Sequence, residues 1–306
     1  MPKNIIVSTT IHPPTQALKS FAQKEDWTLL VVGDINTPHA EYQEMPCIYY
    51  HPDEQALDYP RLSELIGWRT IQRRNLGFLK ALSMGAEIVA SVDDDNVPFE
   101  SWGKEIFVGK TIEIPVYETS LVFDPLSITN YPQLWHRGFP IQFLRERISK
   151  SHLEFIEIDI QADFWNGDPD IDAICRMEHM PDCKFQDDPF PFSSNVFSPF
   201  NSQNTFLSRR ALKNYFMFPG VGRMDDIWAS YYLESLGFRV LYSKASVEQV
   251  RNPHDLTVDF MAEILGYTQT YKLLEELKLS AASIRKFLPE DSILAFEEYL
   301  RIAKQY

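Results

Sequence analysis

The stretch RRNLGFLKALSMGAEIVASVDDDN, residues 73–96, combines a helical pattern, a strand pattern and three consecutive acids. Its leucines recur at helical spacing and Gly85 is a suitable helix end, which predicts a helix over residues 68–87. The run IVASV, residues 88–92, then predicts a buried strand. This strand ends directly in the three aspartates.

The N-terminal residues repeat the same alternation of strand and helix. NIIVSTT (4–10) and WTLLVVGD (27–34) are short and rich in Val, Ile and Leu, and PTQALKSFAQKE (14–25) between them has helical spacing. Strands without strict polar alternation are typical of a parallel sheet covered on both faces. The sequence therefore predicts an α/β fold with a mostly parallel central sheet.

The C-terminal part has a different pattern. Residues 254–306 show helical apolar spacing and no strand-like run. We therefore predict a helical C-terminal extension over 254–306, packed on a catalytic domain that comprises residues 1–253. An apolar stripe on these helices would alternatively serve as a homo-oligomer contact.

Composition and charge exclude several classes of partner. The chain has 43 acidic and 29 basic residues, a net charge of −14, which disfavours nucleic acid and anionic membranes as partners. No apolar run reaches about 18 residues, so no membrane span is predicted. The apolar run near the N-terminus is too short for a signal peptide. Three cysteines do not make a disulfide framework, and we expect a cytoplasmic protein.

The three aspartates lie where open α/β sheets bind ligands, at the carboxyl end of a strand. Because side chains alternate along an extended chain, Asp93 and Asp95 share a side, ~7 Å apart, while Asp94 points away. Such a pair can hold Mg²⁺ or Mn²⁺ and leave positions open for phosphate oxygens. The alternative is a solvated acidic turn in which Asp93 caps a following helix.

Arginines just upstream offer positive charge to the same place. Arg69, Arg73 and Arg74 are spaced so that at least two can face one direction. A guanidinium binds phosphate as a bidentate donor. Ordinary surface arginines are the alternative.

These residues resemble the GT-A fold of nucleotide-sugar enzymes, whose N-terminal half ends in an Asp-x-Asp metal motif. More closely, the chain resembles the reversibly glycosylated polypeptides, or UDP-arabinopyranose mutases, and the related plant STELLO-type glycosyltransferases. The resemblance extends over roughly residues 68–247. It is carried by RRNLGFLKALSMGAEIVASVDDDN, VFDPLSITNYPQLWHRGFPIQFLRE, GDPDIDA, GVGRMDDIWASYY and SKASV.

The resemblance implies a nucleoside diphosphate sugar as donor, with Mn²⁺ or Mg²⁺ held by Asp93 and Asp95. Asp94, in the same motif, and Arg73 and Arg74 are expected beside the bound nucleotide. Asp34, at the end of the second strand, is the expected contact of the nucleoside.

Two further acidic stretches receive roles from the resemblance. It implies that Asp225 or Asp226 faces the acceptor or donor sugar, as a proton acceptor or a hydrogen-bond partner, and which of the two does so stays open. Their structural alternative is a favourable interaction with a helix N-terminus. It also implies sugar contacts from Trp165 and from Asp168 or Asp170.

The stretch HRGFPIQFLRE departs from the mutase pattern. In the mutases the corresponding stretch contains two functional arginines, of which the first becomes glycosylated. Arg137 matches the first, whereas Arg145 lies one residue later than the second. An arginine near a diphosphate would stabilise the leaving group, and an arginine that pairs with a surface acid is the alternative.

Together these features predict a metal-dependent glycosyltransferase that uses a nucleoside diphosphate sugar, with UDP-sugar favoured, and a separate glycosyl acceptor. One alternative is a mutase that interconverts pyranose and furanose forms of the bound sugar. Another is a non-catalytic nucleotide-sugar-binding subunit.

Overall fold

The computed structural model describes residues 3–250 and 255–306. The strands, numbered in chain order, are β1 Asn4–Thr10, β2 Thr28–Gly33, β3 Ile48–Tyr50, β4 Ile88–Val92, β5 Asn96–Pro98, β6 Thr111–Glu118, β7 Lys150–Glu157, β8 Ile160–Gly167, β9 Phe192–Ser194, β10 Asn204–Ser208 and β11 Val240–Gln249. The α-helices are α1 Gln16–Phe21, α2 Pro52–Asp58, α3 Pro60–Ile66, α4 Arg74–Ser83, α5 Ala173–His179, α6 Arg209–Leu212, α7 Asp225–Ser235, α8 Leu256–Leu279 and α9 Glu290–Ala303.

The strands of the described residues form one 11-stranded sheet in the order β3-β2-β1-β4-β10-β8-β11-β9-β6-β7, and β5 pairs with β11. β1 is parallel to β2 and β4, and β2 is parallel to β3. β10 is antiparallel to β4 and β8, while β8 and β11 are parallel. The predicted α/β class is confirmed, and the first four strands supply a continuous parallel part of the sheet.

The apolar runs of these parallel strands are explained by burial on both faces. Ile5, Ile6 and Val7 in β1 are fully buried, although neighbouring side chains point to opposite faces of the sheet. β2 and β4 are buried in the same way. Burial on both faces therefore explains why these strands lack the polar–apolar alternation of a sheet with one solvated face.

The helix before β4 is shorter than the predicted span of residues 68–87. A 3₁₀ turn, Ile71–Arg73, precedes α4. Gly67 and Arg69 have φ angles of 75° and 60°, and this left-handed conformation keeps them outside the helix. The end of the helix is as predicted, because Gly85 follows it with φ of 84°.

Close packing fixes α4 against the parallel strands. A Cβ atom at Gly77 would lie 2.5 Å from Cγ2 of Val32 in β2 and 2.6 Å from Cγ1 of Val7 in β1. Only glycine therefore lets this helix approach the sheet so closely. The approach sets the position of Arg74 at the start of α4.

The C-terminal helices α8 and α9 pack against residues of the α/β part. Phe296 and Tyr299 of α9 are fully buried, and Tyr299 Oη donates a hydrogen bond to Leu212 O at 2.8 Å. Trp228 Nε1 in α7 donates to Thr270 Oγ1 in α8 at 3.0 Å. The helical extension thus shares its core with the sheet domain.

The predicted boundary between residues 253 and 254 lies outside the described residues, and the division into two parts stays a prediction. Val258, Met261 and Ile264 form an exposed apolar stripe on α8, and its use as an oligomer contact also stays a prediction. Within the described ranges, no helix combines the length and the apolarity that a bilayer crossing requires.

The substitution Gly77→Ala tests the close approach of α4. Alanine normally stabilises a helix interior by about 1 kcal/mol relative to glycine. Here the added methyl group meets two valines, and we expect a net loss of about 1–3 kcal/mol in the free energy of unfolding, measured by urea denaturation. Ser83→Ala, at an exposed position of the same helix, should change it by less than about 0.5 kcal/mol. A stabilised Gly77→Ala variant would contradict the packing described.

Candidate active site

The carboxyl ends of β1, β2 and β4 border a first cavity of about 270 Å³. Because these strands are parallel, their ends meet at one edge of the sheet, where open α/β sheets bind ligands. The cavity is lined by Thr9, Thr10, Ile11, His12, Val32, Asp34, Arg69, Thr70, Ile71, Arg73, Arg74, Asp93, Asp94 and Asp95.

A second cavity of about 290 Å³ meets the first. It is lined by Ile71, Gln72, Asp93, Asp95, Arg137, Asp170, Ser202, Gln203, Met217, Gly222, Arg223, Asp225, Asp226 and Gln249. Ile71, Asp93 and Asp95 line both cavities. The two aspartates therefore lie at the junction of the cavities.

Asp94 differs from its two neighbours. It lines the first cavity and is absent from the lining of the second. Its Oδ2 accepts a hydrogen bond from Thr10 Oγ1 at 2.5 Å, and burial raises the pKa of its carboxyl group. Asp93 and Asp95 line both cavities, whereas Asp94 lines the first together with them. Their role as metal ligands stays a prediction.

Asp93 and Asp95 offer the oxygen ligands that Mg²⁺ and Mn²⁺ prefer. Across residues 3–250 and 255–306, no cluster of three or more His, Cys, Asp or Glu side chains is arranged to hold a metal ion. Mg²⁺ at nucleotide sites commonly uses only one or two carboxylates and completes its coordination with phosphate oxygens and water. The pair at the junction fits a cation of that kind.

Arg74 brings positive charge to the junction from within the protein. Its side chain is buried, and Nη2 donates to Asp93 Oδ1 at 2.7 Å. Nη1 donates to Ser202 O at 3.0 Å. Arg74 thereby joins the end of β4 to the loop before β10.

Arg73 occupies a different environment from the one predicted. Its Nε and Nη2 donate to Gln55 Oε1 at 2.9 and 2.5 Å, and Nη1 donates to Ser63 and to Gly67 O. The guanidinium stacks on the ring of Trp68 at 3.7 Å. Burial lowers the pKa of Arg73 to about 10. These bonds point the guanidinium towards α2 and α3, so a direct phosphate contact from Arg73 does not fit this geometry.

Asp34 lies in the wall of the first cavity, at the predicted strand end. It is buried, and its Oδ2 accepts a hydrogen bond from Thr70 N at 3.1 Å. Oδ1 accepts one from Ile35 N at 2.6 Å. The carboxylate therefore holds the segment before α4 against the end of β2.

The second cavity is built around the buried guanidinium of Arg137. Nε donates to Asp170 Oδ1 at 2.8 Å, while Nη1 and Nη2 donate to the two carboxylate oxygens of Asp226 at 2.9 and 3.1 Å. Nη1 also donates to Arg223 O. Burial alone would raise the pKa of both carboxyl groups, but the guanidinium outweighs it and lowers each pKa.

The adjacent acid, Asp225, is affected in the opposite direction. Burial and the neighbouring Asp226 charge raise its pKa to about 7. Its Oδ2 accepts a hydrogen bond from Gln72 Nε2 at 2.6 Å. The sequence left the two aspartates equivalent. In the structure Asp226 is held ionised in an ion pair, whereas Asp225 titrates near neutral pH in the cavity wall.

Arg145 lies apart from both cavities. It belongs to the 3₁₀ segment Ile141–Glu146 and is exposed. Arg147 instead turns inward, where Nη2 lies 2.7 Å from Oδ2 of the buried Asp124. Arg145 is absent from the linings of both cavities, and its expected contact with the nucleotide stays a prediction.

Two other predicted sugar contacts also lie outside the cavity linings. Trp165 is only 2% exposed, and its ring packs against His136 and Phe164 with centroids 5.8 and 5.1 Å away. Asp168 forms an ion pair with Arg176. The geometry therefore assigns Trp165 to the core. Of the predicted pair of acids, only Asp170 reaches the second cavity.

Arg223 lies at the second cavity and is held there by residues that were not among the predicted site residues. Arg223 Nε donates to Glu263 Oε1 at 2.8 Å, and Glu263 in α8 is fully buried. Its Oε2 accepts hydrogen bonds from Ala173 N at 2.8 Å and Tyr267 Oη at 2.5 Å. The sequence contained one signal for this role: Glu263 lies at helical spacing from Leu273 and Leu277, on the buried face of α8. An acid at such a core-facing position indicates a buried polar contact.

No protein-family model matches the chain. Among curated proteins, it is 24% identical over 310 residues to "Probable glycosyltransferase STELLO1" of Arabidopsis thaliana, an alignment that covers 94% of this chain and 38% of that protein. It is 27% identical over 187 residues to "Probable glycosyltransferase STELLO2" of the same plant, covering 56% of this chain and 24% of that protein. The chain thus spans well under half the length of these relatives.

Among solved structures, the chain is similar to the mannosyltransferase PcManGT from Pyrobaculum calidifontis, whose structure is a complex with GDP-Man and Mn²⁺. The TM-score is 0.43 at 11% identity, and the match covers 99% of this chain and 73% of that chain. The predicted resemblance to STELLO-type proteins is confirmed by the sequence similarity. The resemblance to the reversibly glycosylated polypeptides stays a prediction.

The substitution Arg137→Met tests the central ion pairs. It leaves Asp170 and Asp226 buried without their cation, and we expect a loss of about 3–5 kcal/mol in the free energy of unfolding at pH 7.5. The matched control is Arg145→Met, which removes an exposed arginine and should change this free energy by less than about 0.5 kcal/mol. Equal losses in both variants, measured by chemical denaturation, would contradict the central position of Arg137.

Proposed function

We propose that this protein is a metal-dependent glycosyltransferase of GT-A type that transfers a glycosyl group from a nucleoside diphosphate sugar, with a UDP-sugar as the expected donor. The observation that carries the proposal is the pair of carboxylates, Asp93 and Asp95, shared by two adjoining cavities. A nucleotide in the first cavity and its sugar in the second are joined by a diphosphate at that junction. The similarity to proteins named as glycosyltransferases supports the same activity.

In this proposal Asp93 and Asp95 hold Mn²⁺ or Mg²⁺. The bound cation supplies Lewis-acid stabilisation of the diphosphate leaving group. Arg74, fixed on Asp93, adds positive charge at the same point. A chain with a net charge of −14 otherwise repels an anionic donor, so this local positive charge is needed for binding.

Asp225 is the proposed general base. Its carboxylate accepts the proton of an acceptor hydroxyl as that oxygen forms the new bond to the sugar carbon and the bond from this carbon to the diphosphate breaks. A pKa of about 7 suits proton transfer at neutral pH. Asp226 remains ionised and, through Arg137, orients the start of α7. Asp170 completes the polar wall on the sugar side.

The mutase alternative rests on the resemblance of the stretch that contains Arg137. The guanidinium of Arg137 carries ion pairs to Asp170 and Asp226, and an arginine held in this way is a poor nucleophile. This contact favours the transferase. Formation of a ring-isomerised UDP-sugar without an acceptor would favour the mutase, and nucleotide-sugar binding without turnover of any acceptor would favour a binding subunit.

We also propose a cytoplasmic location, supported by the free thiols of Cys47, Cys175 and Cys183. A reducing compartment maintains such thiols. We further propose that the sugar is transferred to a separate glycosyl acceptor, and that α8 forms the contact surface of a homo-oligomer.

The double substitution Asp93→Asn and Asp95→Asn tests the cation site. In the unsubstituted protein Mn²⁺ should tighten UDP binding at least tenfold, about 1.4 kcal/mol, measured by titration calorimetry with and without the cation. In the double variant this gain should disappear. Binding of UDP without Mn²⁺ should not weaken, because two charges that repel the diphosphate are gone.

The matched control for this test is Glu54→Gln with Glu64→Gln, which removes two exposed carboxylates from α2 and α3. It should keep the full Mn²⁺-dependent gain. A Mn²⁺-dependent gain that survives in the Asp93 and Asp95 variant would rule out the metal site proposed.

The pH dependence of kcat/KM tests Asp225. The ionised carboxylate is the active form, so the rate should rise with pH through about 7 and level off above it. Asp225→Asn should lower kcat about 10²–10⁴-fold and abolish this rise. The measurement is a pH profile of initial rates with saturating Mn²⁺.

Gln72→Met provides the control for this profile. The Gln72 amide donates to Asp225 and favours its ionised form, so its removal should shift the rise to higher pH. An unshifted profile in Gln72→Met, together with an Asp225→Asn variant of normal activity, would remove Asp225 from the mechanism.

A further inference from the structure

A short loop before α4 has an unusual backbone at the edge of the first cavity. Arg69 has φ of 60°, a left-handed backbone conformation that residues other than glycine, asparagine and aspartate rarely adopt. Such a conformation persists only where the surrounding structure imposes it, and it is common at ligand-binding sites.

Contacts on both sides of Arg69 impose this conformation. On one side, Trp68 stacks on the buried guanidinium of Arg73, which also donates to Gly67 O at 3.2 Å. On the other side, Thr70 N donates to Asp34 Oδ2 at 3.1 Å. The residues next to Arg69 are thus anchored to the core, while its own side chain is exposed at the cavity.

The arginines of the first cavity differ in whether their N–H groups already form hydrogen bonds within the protein. Arg73 is bonded to α2, α3 and the loop, and Arg74 to Asp93, Thr9 and Ser202. Within residues 3–250 and 255–306, Arg69 forms no hydrogen bond or ion pair. It is therefore the arginine of this cavity whose guanidinium is available to an anion from solution.

The position of Arg69 selects the part of the ligand that it reaches. Arg69 lines the first cavity only, whereas Asp93 and Asp95 at the junction line both. A phosphate next to the nucleoside lies on the first-cavity side of the junction. A guanidinium forms bidentate hydrogen bonds with phosphate oxygens, which a lysine cannot reproduce.

We propose that Arg69 binds the nucleoside-proximal phosphate of the donor. In this proposal the loop Gly67–Thr70 fixes Arg69 in its left-handed conformation before the donor binds. This inference rests on the proposed use of a nucleoside diphosphate sugar. The role is one of ground-state binding, so its loss raises KM and the dissociation constant of the nucleotide more than it lowers kcat.

Three substitutions separate the side chain from the backbone. Arg69→Ala and Arg69→Gly both remove the guanidinium, but only glycine adopts the left-handed conformation without steric cost. Arg69→Lys keeps the positive charge but loses the planar guanidinium that binds two phosphate oxygens at once. The exposed Arg61 of α3 provides the control variant Arg61→Ala, which should bind as the unsubstituted protein does.

Binding of UDP, GDP and uridine is measured by titration calorimetry with Mn²⁺, and thermal unfolding is measured without ligand. We expect affinity for the preferred diphosphate to fall at least tenfold, and equally, in Arg69→Ala and Arg69→Gly, with Arg69→Lys between them and the full protein. Affinity for uridine, which has no phosphate, should not change. Arg69→Gly should unfold at a higher temperature than Arg69→Ala.

Unchanged diphosphate affinity in Arg69→Gly would overturn the inference while leaving the proposed function intact. Equal losses for uridine and the diphosphate would also overturn it, because the residue would then act on the nucleoside or on the loop. If the unsubstituted protein binds neither UDP nor GDP, the proposed function itself fails, and the inference fails with it.

Discussion

The second cavity depends on the ion pairs that the buried guanidinium of Arg137 forms with two carboxylates. The guanidinium joins the loop that contains it to Asp170, which follows β8, and to Asp226, in the first turn of α7. Buried charges are costly unless they are paired and fully hydrogen-bonded, and here both carboxylates meet donors of the same guanidinium. Because each partner requires the others, three segments distant in the chain are fixed in one arrangement around the cavity.

The same ion pair separates two acids that are neighbours in sequence. Asp226 faces Arg137 and its pKa is lowered, whereas Asp225 faces an amide and its pKa is raised by burial and by the Asp226 charge. Environments that push the pKa values of paired acids apart are a general means of assigning different roles to them. The buried Arg74 and the partly exposed Asp93 form a further ion pair, which brings charge of both signs to the junction of the cavities.

The C-terminal helices do more than cover the sheet. Glu263 of α8 binds Arg223, next to the acids of α7, and also accepts from the first amide of α5. The site therefore depends on a helix far along the chain from the strand ends. This contact makes α8 a positioning element for the second cavity.

The parallel strands, the C-terminal helices and the acids at the end of β4 could be predicted from local sequence patterns, because these features depend on residues that are close in the chain. The sequence also identified Asp34, Arg74, Arg137 and Asp170, each of which lines a cavity. The pairing of buried charges, in contrast, became evident from the folded arrangement alone. Arg73 turned to the core, Trp165 packed away from the cavities, and Asp225 was distinguished from Asp226 by an arginine 89 residues from the latter. Pairing energies depend on burial and on distances between segments, and neither is encoded in local spacing.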